Sequence, residues 1–294
     1  MTLGKREIMD WIELIKAVVF GIVEGITEWL PISSTGHMIL LNEFMPLQVT
    51  EEFYRMFEVV IQLGAILAVV VIFWHSIFPF QKPPYDPRRK KTGLISYLKI
   101  DIVILWCKIL VACVPAAIIG LLFSEQFEAW FYNYTTVALA LIIFGVAFLL
   151  IEERHKGKAA RINSLAEITF TLALFIGFFQ LIAAIFPGTS RSGATIVGAL
   201  LLGVSRKVAA EFTFFLAIPV MFGASLLKIV QFGFHFSGME LAILLTGLIT
   251  AFIVSIIVIK FLMDYIKRHD FKVFGWYRII LGIIVLMYFG LFAS

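Results

Sequence analysis

Charged residues are scarce in this sequence, since Asp, Glu, Lys and Arg make up only 15% of its 294 residues. Average soluble domains carry about 25% of these residue types. Hydrophobic residues instead reach 61%, a composition that excludes an ordinary soluble domain and predicts an integral membrane protein. The net charge of +4 is concentrated in loops, so it indicates topology, and we predict no nucleic-acid partner.

Cysteine is nearly absent, because the sequence holds only Cys107 and Cys113, both in one apolar segment. Their spacing places them on different sides of a helix, so we expect neither a disulfide nor a metal site built from thiolates. A cleavage pattern of small residues is also missing after the first apolar run. We therefore expect no cleaved signal peptide.

Long apolar runs are what the sequence has in abundance. A helix needs about 20 residues to cross the hydrocarbon layer, and six windows reach that length: 54–80, 101–123, 134–152, 208–231, 238–263 and 273–293. Two further regions, residues 11–45 and 165–203, are interrupted by polar residues. Because irregular backbone at membrane depth must be buried in protein or line a wet cavity, we predict an all-α polytopic membrane fold with six transmembrane helices and two re-entrant helical hairpins.

The distribution of basic residues predicts the orientation of these elements. Lys and Arg cluster around residues 82–99, 154–161 and 267–272, whereas the connections 124–134 and 231–239 contain none. By the positive-inside rule the basic loops face the cytoplasm. The first hairpin then enters the membrane from the outer side, and the second enters it from the cytoplasm.

The two halves of the chain, residues 1–155 and 156–294, are similar at an offset of about 156 residues. Each half is predicted to be one re-entrant hairpin followed by three spans, so the second half inserts upside down within a single membrane domain. The aligned positions are Pro31 with Pro187, Ser33 with Thr189, Ser34 with Ser190, and Val49–Thr50 with Val204–Ser205. Such inverted-topology repeats place their site near the midplane, where broken helices meet.

The first hairpin carries two carboxylates, Glu24 and Glu28, in an otherwise apolar stretch. A charged residue at the centre of a spanning helix costs about 2.5–3.5 kcal/mol on insertion scales, so such residues are functional candidates. On a helix the two carboxylates share one face, and their repulsion favours an acid/base pair or a metal site. Pro31 is predicted to end this helix, and Ser33 with Ser34 to cap the next.

The second hairpin carries a comparable polar stretch. Pro187–Gly188 breaks the chain, and Thr189–Ser190 is predicted to cap a helix from Arg191 to Leu202. If the hairpin tips meet, two helix N-termini and the Arg191 guanidinium form an anion site that suits phosphate. The hydroxyls predicted to lie there are those of Ser33, Ser34, Thr35, Ser190, Ser192 and Thr195. His37 adds a base or a nucleophile beside a serine hydroxyl.

These two stretches, Glu24–His37 and Pro187–Gly193, resemble the signature motifs of the undecaprenyl pyrophosphate phosphatases of the bacitracin-resistance type, and the resemblance extends over essentially the whole chain. It implies roles for Glu24, Glu28, Ser34, His37, Ser190 and Arg191. It also implies hydrolysis of the C55 isoprenyl pyrophosphate to the monophosphate at the outer face of a bacterial plasma membrane, which recycles the cell-wall lipid carrier and confers bacitracin resistance. The expected partners are this lipid substrate and membrane lipids, and a homodimer is left open.

The chemical roles within this site stay open at the level of sequence. Ser34 is the preferred nucleophile, with His37 or Glu28 taking its proton, and attack by His37 or by an activated water is the alternative. Arg191 and the helix ends would neutralise charge on the transferred phosphoryl group. A divalent cation, Mg²⁺ or Ca²⁺, held between the Glu24–Glu28 pair and the pyrophosphate would do the same. We expect no organic cofactor.

The main rival function is a polyprenyl-phosphate transporter or flippase, because inverted repeats around a midplane site are typical of transporters. A pure carrier, however, needs anion ligands but no nucleophile with an adjacent base. An acid-phosphatase-like lipid phosphatase is disfavoured because its upstream Lys-to-Arg-Pro phosphate motif is missing. A structural membrane module has no reason to bury so many polar groups.

Overall fold

The computed structural model describes residues 3–82 and 94–292, which are almost entirely helical. The α-helices are α1 (Leu3–Thr27), α2 (Ser34–Phe44), α3 (Glu51–Val60), α4 (Gln62–Ile72), α5 (Trp74–Ile77), α6 (Ile100–Phe131), α7 (Tyr134–His155), α8 (Phe170–Ile185), α9 (Arg191–Leu201), α10 (Arg206–Phe232), α11 (Gly238–Tyr265) and α12 (Lys272–Phe292). Two short 3-10 turns, Leu94–Tyr97 and Leu165–Glu167, complete the set. Within the described residues the only β pairing is a pair of isolated bridges.

Among the described residues, six stretches are long and apolar enough to cross a membrane, which confirms the predicted number of transmembrane helices. They are Glu51–Ile72, Ile100–Gly120, Tyr134–His155, Arg206–Phe232, Gly238–Tyr265 and Lys272–Leu291. The basic cluster at residues 88–91 and the last residue of the predicted window 273–293 lie outside the described residues.

The first of these spans differs from the predicted window 54–80. It begins earlier, at Glu51, because the Thr50 side chain accepts a hydrogen bond from the Phe53 N–H at 3.2 Å and caps the helix. It ends earlier as well, at Ile72, and is followed by a short separate helix and an extended stretch that contains Pro79. Apolarity alone therefore overstated the length of the span, and Pro79, which cannot continue a helix, lies beyond the short helix that follows it.

The two regions predicted to be broken each consist of two helices joined by a short irregular stretch, α1 with α2 and α8 with α9. The N-cap residues after the breaks are Ser33 and Ser190, whose hydroxyls accept hydrogen bonds from the N–H groups of Gly36 and Gly193. Both serines have a positive φ, 75° and 68° respectively. Positive φ is uncommon for a residue other than glycine and costs about 1–3 kcal/mol, so the surrounding structure must hold both breaks in place.

These caps correct the predicted alignment of the two halves by one residue. Ser33 corresponds to Ser190, not to Thr189, and Ser34 therefore corresponds to Arg191. The reason is that the second break has one more residue between its proline and its cap than the first. At the later aligned pair, Thr50 and Ser205 are both N-caps with φ −66° and ψ 152°.

The end of α1 also differs from the prediction. The helix ends at Thr27, before Pro31, so Glu28 lies in the turn that follows and not on the helix. The Glu28 N–H still donates to the Glu24 carbonyl at 3.0 Å. Glu28 thus remains one turn beyond Glu24, but its side chain is free to point at the second break.

Each broken segment is packed tightly against a long helix. Helix α1 lies along α11, and α8 lies along α6, while α7 packs on α12. Glycine permits the closest approaches: a Cβ atom on Gly21 would lie 2.6 Å from the Gly247 carbonyl oxygen, and one on Gly177 would lie 2.3 Å from that of Ala112. Small residues at helix contacts are how membrane helices bring their backbones together, and here they fix the helices that lead into both breaks.

Candidate active site

The two breaks contact each other directly, although they are far apart in sequence. The Ser192 hydroxyl donates to the Glu28 backbone carbonyl at 3.1 Å. The Arg191 guanidinium reaches the carboxylate of the same residue, with Nη2 2.9 Å from Oε1. The structure therefore brings together the two polar stretches that the sequence singled out.

Glu28 is at the centre of this contact and is 7% exposed. Its Oε2 atom accepts a hydrogen bond from the Ser34 hydroxyl at 2.9 Å, while Oε1 is engaged by Arg191. One carboxylate thus joins a serine hydroxyl on the first break to a guanidinium on the second. Of the two groups predicted to take the Ser34 proton, Glu28 is the one bonded to it.

His37 makes other contacts. Its Nδ1 atom lies 2.7 Å from the Ser33 carbonyl oxygen, and its Nε2 atom lies 2.7 Å from the Tyr277 hydroxyl. A carbonyl can only accept, so Nδ1 carries a proton, and in the neutral imidazole Nε2 then accepts from the tyrosine. The His37 and Tyr277 rings are also nearly parallel, at an angle of 5°. With these contacts the imidazole orients the first break, and among the described residues it makes no hydrogen bond with the Ser34 hydroxyl.

Arg191 is anchored on α10 as well as on Glu28, because its Nη1 atom donates to the Thr213 carbonyl at 3.0 Å. Its Nε atom is buried and has no hydrogen-bond partner within the described residues. The guanidinium is held in a fixed plane, and its Nε donor is unused among the described residues. A phosphate oxygen is the kind of acceptor that such a group binds.

The hydroxyls predicted to bind phosphate have different surroundings in the structure. Ser33 and Ser190 cap α2 and α9, and the Ser190 hydroxyl lies 3.1 Å from that of Ser192. Thr195 is fully buried, and its hydroxyl lies 2.9 Å from the Arg191 carbonyl oxygen and 3.2 Å from that of Ser192, with one proton to donate. Thr35 is half-buried near the start of α2.

Helix ends add further donors, because the first N–H groups of α2 and α9 have no acceptor within their own helices. The cap serines satisfy those of Gly36 and Gly193. The N–H groups of the first two residues of each helix are not bound by a cap serine. Two positive helix ends and the Arg191 guanidinium therefore lie close to Glu28, a combination that suits an anion.

Glu24 is almost completely buried, at 1% exposed, and its Oε1 atom has no hydrogen-bond partner within residues 3–82 and 94–292. Gln180 and the Thr189 hydroxyl are buried in the same unpaired way. A buried polar atom without a partner costs about 1–3 kcal/mol, and such atoms often mark an ion, a water or a ligand. Across the described chain, no three His, Cys, Asp or Glu side chains are grouped as metal ligands. Glu24 thus offers one free carboxylate oxygen, not a complete metal site.

Arg278 on α12 is a residue that the sequence reasoning missed. It is fully buried and donates to backbone carbonyls on both breaks and on α7. The acceptors are Pro31 at 3.2 Å, Gly188 at 3.0 Å, Thr189 at 2.7 Å, and Ala140 and Leu141 at 3.4 Å each. The available signal was an arginine inside the apolar window 273–293, since charges at that depth are costly and mark function.

A cavity of about 400 Å³ lies beside His37, between α1 and α12. Apart from the polar groups of Thr27, His37 and Tyr277, its walls are apolar, and the full lining is Val23, Ile26, Thr27, Leu30, Ile32, His37, Val273, Phe274 and Tyr277. Such walls suit a hydrocarbon chain, and the polar groups at its edge adjoin the first break.

Comparison with known proteins gives a result that is consistent with the phosphate-binding geometry of this site. The chain matches the family described as bacitracin resistance protein BacA over residues 17–284. It is 62% identical over 281 residues to undecaprenyl-diphosphatase 1 of Clostridium acetobutylicum, which covers 96% of this chain and 99% of that protein. It is 63% identical over 282 residues to the undecaprenyl-diphosphatase of Desulfitobacterium hafniense, covering 96% and 98%. A protein of the same name from Enterococcus faecalis is 57% identical over 279 residues, covering 95% and 98%.

Proposed function

We propose that this chain, which belongs to the bacitracin resistance protein BacA family, is a multi-pass membrane undecaprenyl-diphosphatase. The names of its relatives bear out the reaction predicted from the two motifs. The enzyme hydrolyses undecaprenyl pyrophosphate to undecaprenyl phosphate and phosphate. This reaction recycles the lipid carrier of cell-wall synthesis and confers bacitracin resistance.

The observation that carries the mechanism is the chain of contacts from Ser34 through Glu28 to Arg191. We propose that Ser34 Oγ attacks the terminal phosphorus of the pyrophosphate while Glu28 takes its proton. The bond between that phosphorus and the bridging oxygen breaks, and its electron pair leaves with undecaprenyl phosphate. Water then attacks the phosphorus of the phosphoserine and the bond from phosphorus to Ser34 Oγ breaks. Glu28 returns its proton to the serine oxygen, and the protons of the water leave with the released phosphate.

Arg191 assists this step because the phosphate oxygens of the substrate compete with Glu28 for its guanidinium. Phosphate oxygens that bind its guanidinium, including the unused Nε donor, would draw it away from Glu28. The carboxylate is then released to accept the Ser34 proton at the moment when negative charge must be stabilised on the phosphoryl group. The contacts of His37 with Ser33 and Tyr277 support a positioning role for the imidazole and disfavour its attack on phosphorus.

The rest of the substrate matches the surroundings of the site. An isoprenyl chain is a hydrocarbon, and the cavity beside His37 has nearly apolar walls. Helix α1 lies along α11 as α8 lies along α6, and both breaks have a serine cap with positive φ. These pairings support two re-entrant hairpins in inverted halves, residues 1–155 and 156–294.

We further propose that the site opens to the outer face, as the basic loops indicate. A variant in which alanine replaces Cys107 and Cys113 provides a background for labelling with an impermeant thiol reagent. Cysteine at His235 is expected to react on intact cells, and cysteine at Lys156 only after permeabilisation. The reverse pattern would exclude this orientation.

The function is tested by incubating the purified, detergent-solubilised protein with undecaprenyl pyrophosphate and measuring released phosphate and lipid monophosphate. Equal amounts of both products are expected. Farnesyl pyrophosphate in a parallel assay tests whether a shorter chain is accepted. Lipid pyrophosphate that stays unchanged while vesicles containing the protein move it between leaflets would replace the enzyme with the rival flippase.

We propose that Glu24, of the predicted Glu24–Glu28 pair, would hold a divalent cation, Mg²⁺ or Ca²⁺, when the pyrophosphate is bound. Mg²⁺ is usually held by one or two carboxylates together with substrate phosphates, and Glu24 Oε1 has no partner in the described part of the chain. Both oxygens of Glu28 are already engaged by protein groups, so Glu24 is the stronger ligand of the predicted pair. When bound, the cation would neutralise phosphate oxygens.

Glu24→Gln is expected to raise the cation concentration that gives half-maximal activity by about tenfold or more, because the amide carries no charge. The measurement is a titration of Mg²⁺ or Ca²⁺ into chelator-treated enzyme. Glu13→Gln is the control, since Glu13 is also buried on α1 but is bonded to Lys16 and to the Gln48 N–H. An equal cation requirement in wild type and Glu24→Gln would remove Glu24 from the cation site.

A further inference from the structure

Two consecutive residues of α12 hold the first break from both sides. The Tyr277 hydroxyl donates to His37, whose protonated Nδ1 in turn donates to the Ser33 carbonyl. The neighbouring Arg278 donates to the Pro31 carbonyl at 3.2 Å. Both bonded carbonyls belong to the turn that leads into α2. The backbone just before the proposed nucleophile is therefore tied to α12 at two points.

Arg278 extends the same connection to the second break. Its Nη2 atom lies 3.0 Å from the Gly188 carbonyl oxygen and 2.7 Å from that of Thr189. These residues directly precede the Ser190 cap, after which Arg191 begins α9. A single guanidinium thus fixes the distance between the two turns whose following residues supply the nucleophile and the anion-binding arginine.

The strain in both turns shows why such support is needed. Ser33 and Ser190 have φ values of 75° and 68°, and backbone in this region persists only when its surroundings over-determine it. Arg278 is fully buried, and every acceptor in its hydrogen bonds is a backbone carbonyl. The planar guanidinium, with its fixed fork of donors, can serve several carbonyls at once, which the point charge of lysine cannot do.

We propose that Tyr277 and Arg278 are positioning residues of the phosphatase. They hold the two breaks at a fixed separation, so that Ser34 Oγ and the Arg191 guanidinium both face the Glu28 carboxylate. The inference rests on the proposed function, because its kinetic consequence is the alignment of the Ser34 nucleophile. Its structural part, the Tyr277–His37–Ser33 connection, is independent of turnover.

Tyr277→Phe removes one hydroxyl and retains the ring. The expected result is a kcat about 10- to 100-fold lower per folded molecule, because small misplacement of a reacting group has effects of this size, with KM changed less than twofold. The spectroscopic readout is the ¹⁵N signal of His37, assigned by comparison with His37→Gln. In wild type it should show a neutral ring with the proton on Nδ1, held by the Ser33 carbonyl. In Tyr277→Phe the Nε2 resonance should shift, because that nitrogen loses the hydroxyl that lies 2.7 Å away.

Trp276→Phe is the matched control, since Trp276 is an aromatic residue of the same helix with 57% exposure. It should leave both kcat and the His37 signal unchanged. Arg278→Lys keeps the charge but not the fork, and it is expected to lower kcat at least as much as Tyr277→Phe while lowering the unfolding temperature. The kcat of Arg278→Lys is calculated per folded molecule. If this variant does not fold, the kcat and the His37 signal of Tyr277→Phe test the proposal on their own.

Wild-type kcat together with an unchanged His37 signal in Tyr277→Phe would overturn the inference. A changed His37 signal without any loss of kcat would also overturn it, because the connection would then exist without positioning the nucleophile. Failure of the proposed function has a different signature, namely wild-type protein that releases no phosphate while the ¹⁵N spectrum still shows the Nδ1-protonated His37.

Discussion

Arg191→Ala is expected to lower kcat by about 10³- to 10⁵-fold, the range found for arginines that stabilise a phosphoryl group in transfer. Its guanidinium links Glu28 on the first break to the Thr213 carbonyl on α10. Alanine removes the positive charge at the point where the two helix ends converge. The measurement is phosphate release from undecaprenyl pyrophosphate under single-turnover conditions, so that binding and chemistry are separated.

Loss of Arg191 also leaves Glu28 buried without its cation, which destabilises a protein by about 3–5 kcal/mol when a buried pair is broken. Arg206→Ala controls for this effect. Arg206 pairs with Glu152, a carboxylate that is 2% exposed, on a different part of the molecule. Both variants should lose stability, but only Arg191→Ala should lose turnover per folded molecule. Activity in Arg191→Ala equal to that of Arg206→Ala would show that the two breaks do not form one site.

The large elements of this fold were predictable because they depend on local composition. Six apolar spans and two polar interruptions follow from hydrophobicity and from the cost of buried charge. The caps of α2 and α9 were located to within a residue, since serine after a proline break is a strong helix start. The error in aligning Ser33 with Thr189 arose because one inserted residue in a turn is invisible to a fixed offset.

The partners of individual side chains were less predictable, because they depend on how distant segments pack. The sequence left both His37 and Glu28 open as the base for Ser34, and only the structure shows that Ser34 is bonded to Glu28 while His37 contacts Tyr277. The tyrosine is 240 residues away from that histidine. Arg278 was overlooked for the same reason, since nothing near it in sequence shows that its acceptors lie on both breaks.

Ser34→Ala tests the nucleophile and is expected to reduce kcat by about 10⁴- to 10⁶-fold, as removal of a catalytic serine does in enzymes with a covalent intermediate. Glu28→Gln should reduce it by about 10²- to 10⁴-fold, the usual contribution of a general base. Ser225→Ala is the control, because Ser225 is a buried serine whose hydroxyl donates to the Val59 carbonyl at 3.0 Å. It should retain wild-type kcat.

The chemical stability of the trapped intermediate separates the three candidate nucleophiles. Substrate labelled in its terminal phosphate is mixed with enzyme, and parallel samples are quenched rapidly in acid and in alkaline detergent. The acid quench should yield an acid-stable phosphoserine at Ser34, and this label should be absent from Ser34→Ala. An acid-labile, base-stable label that survives in Ser34→Ala would instead assign the attack to His37. Substantial turnover of Ser34→Ala without any protein-bound label would point to direct attack by water. The Glu28–Ser34 hydrogen bond of 2.9 Å favours the first result, because it places the proton acceptor on the hydroxyl that must lose its proton.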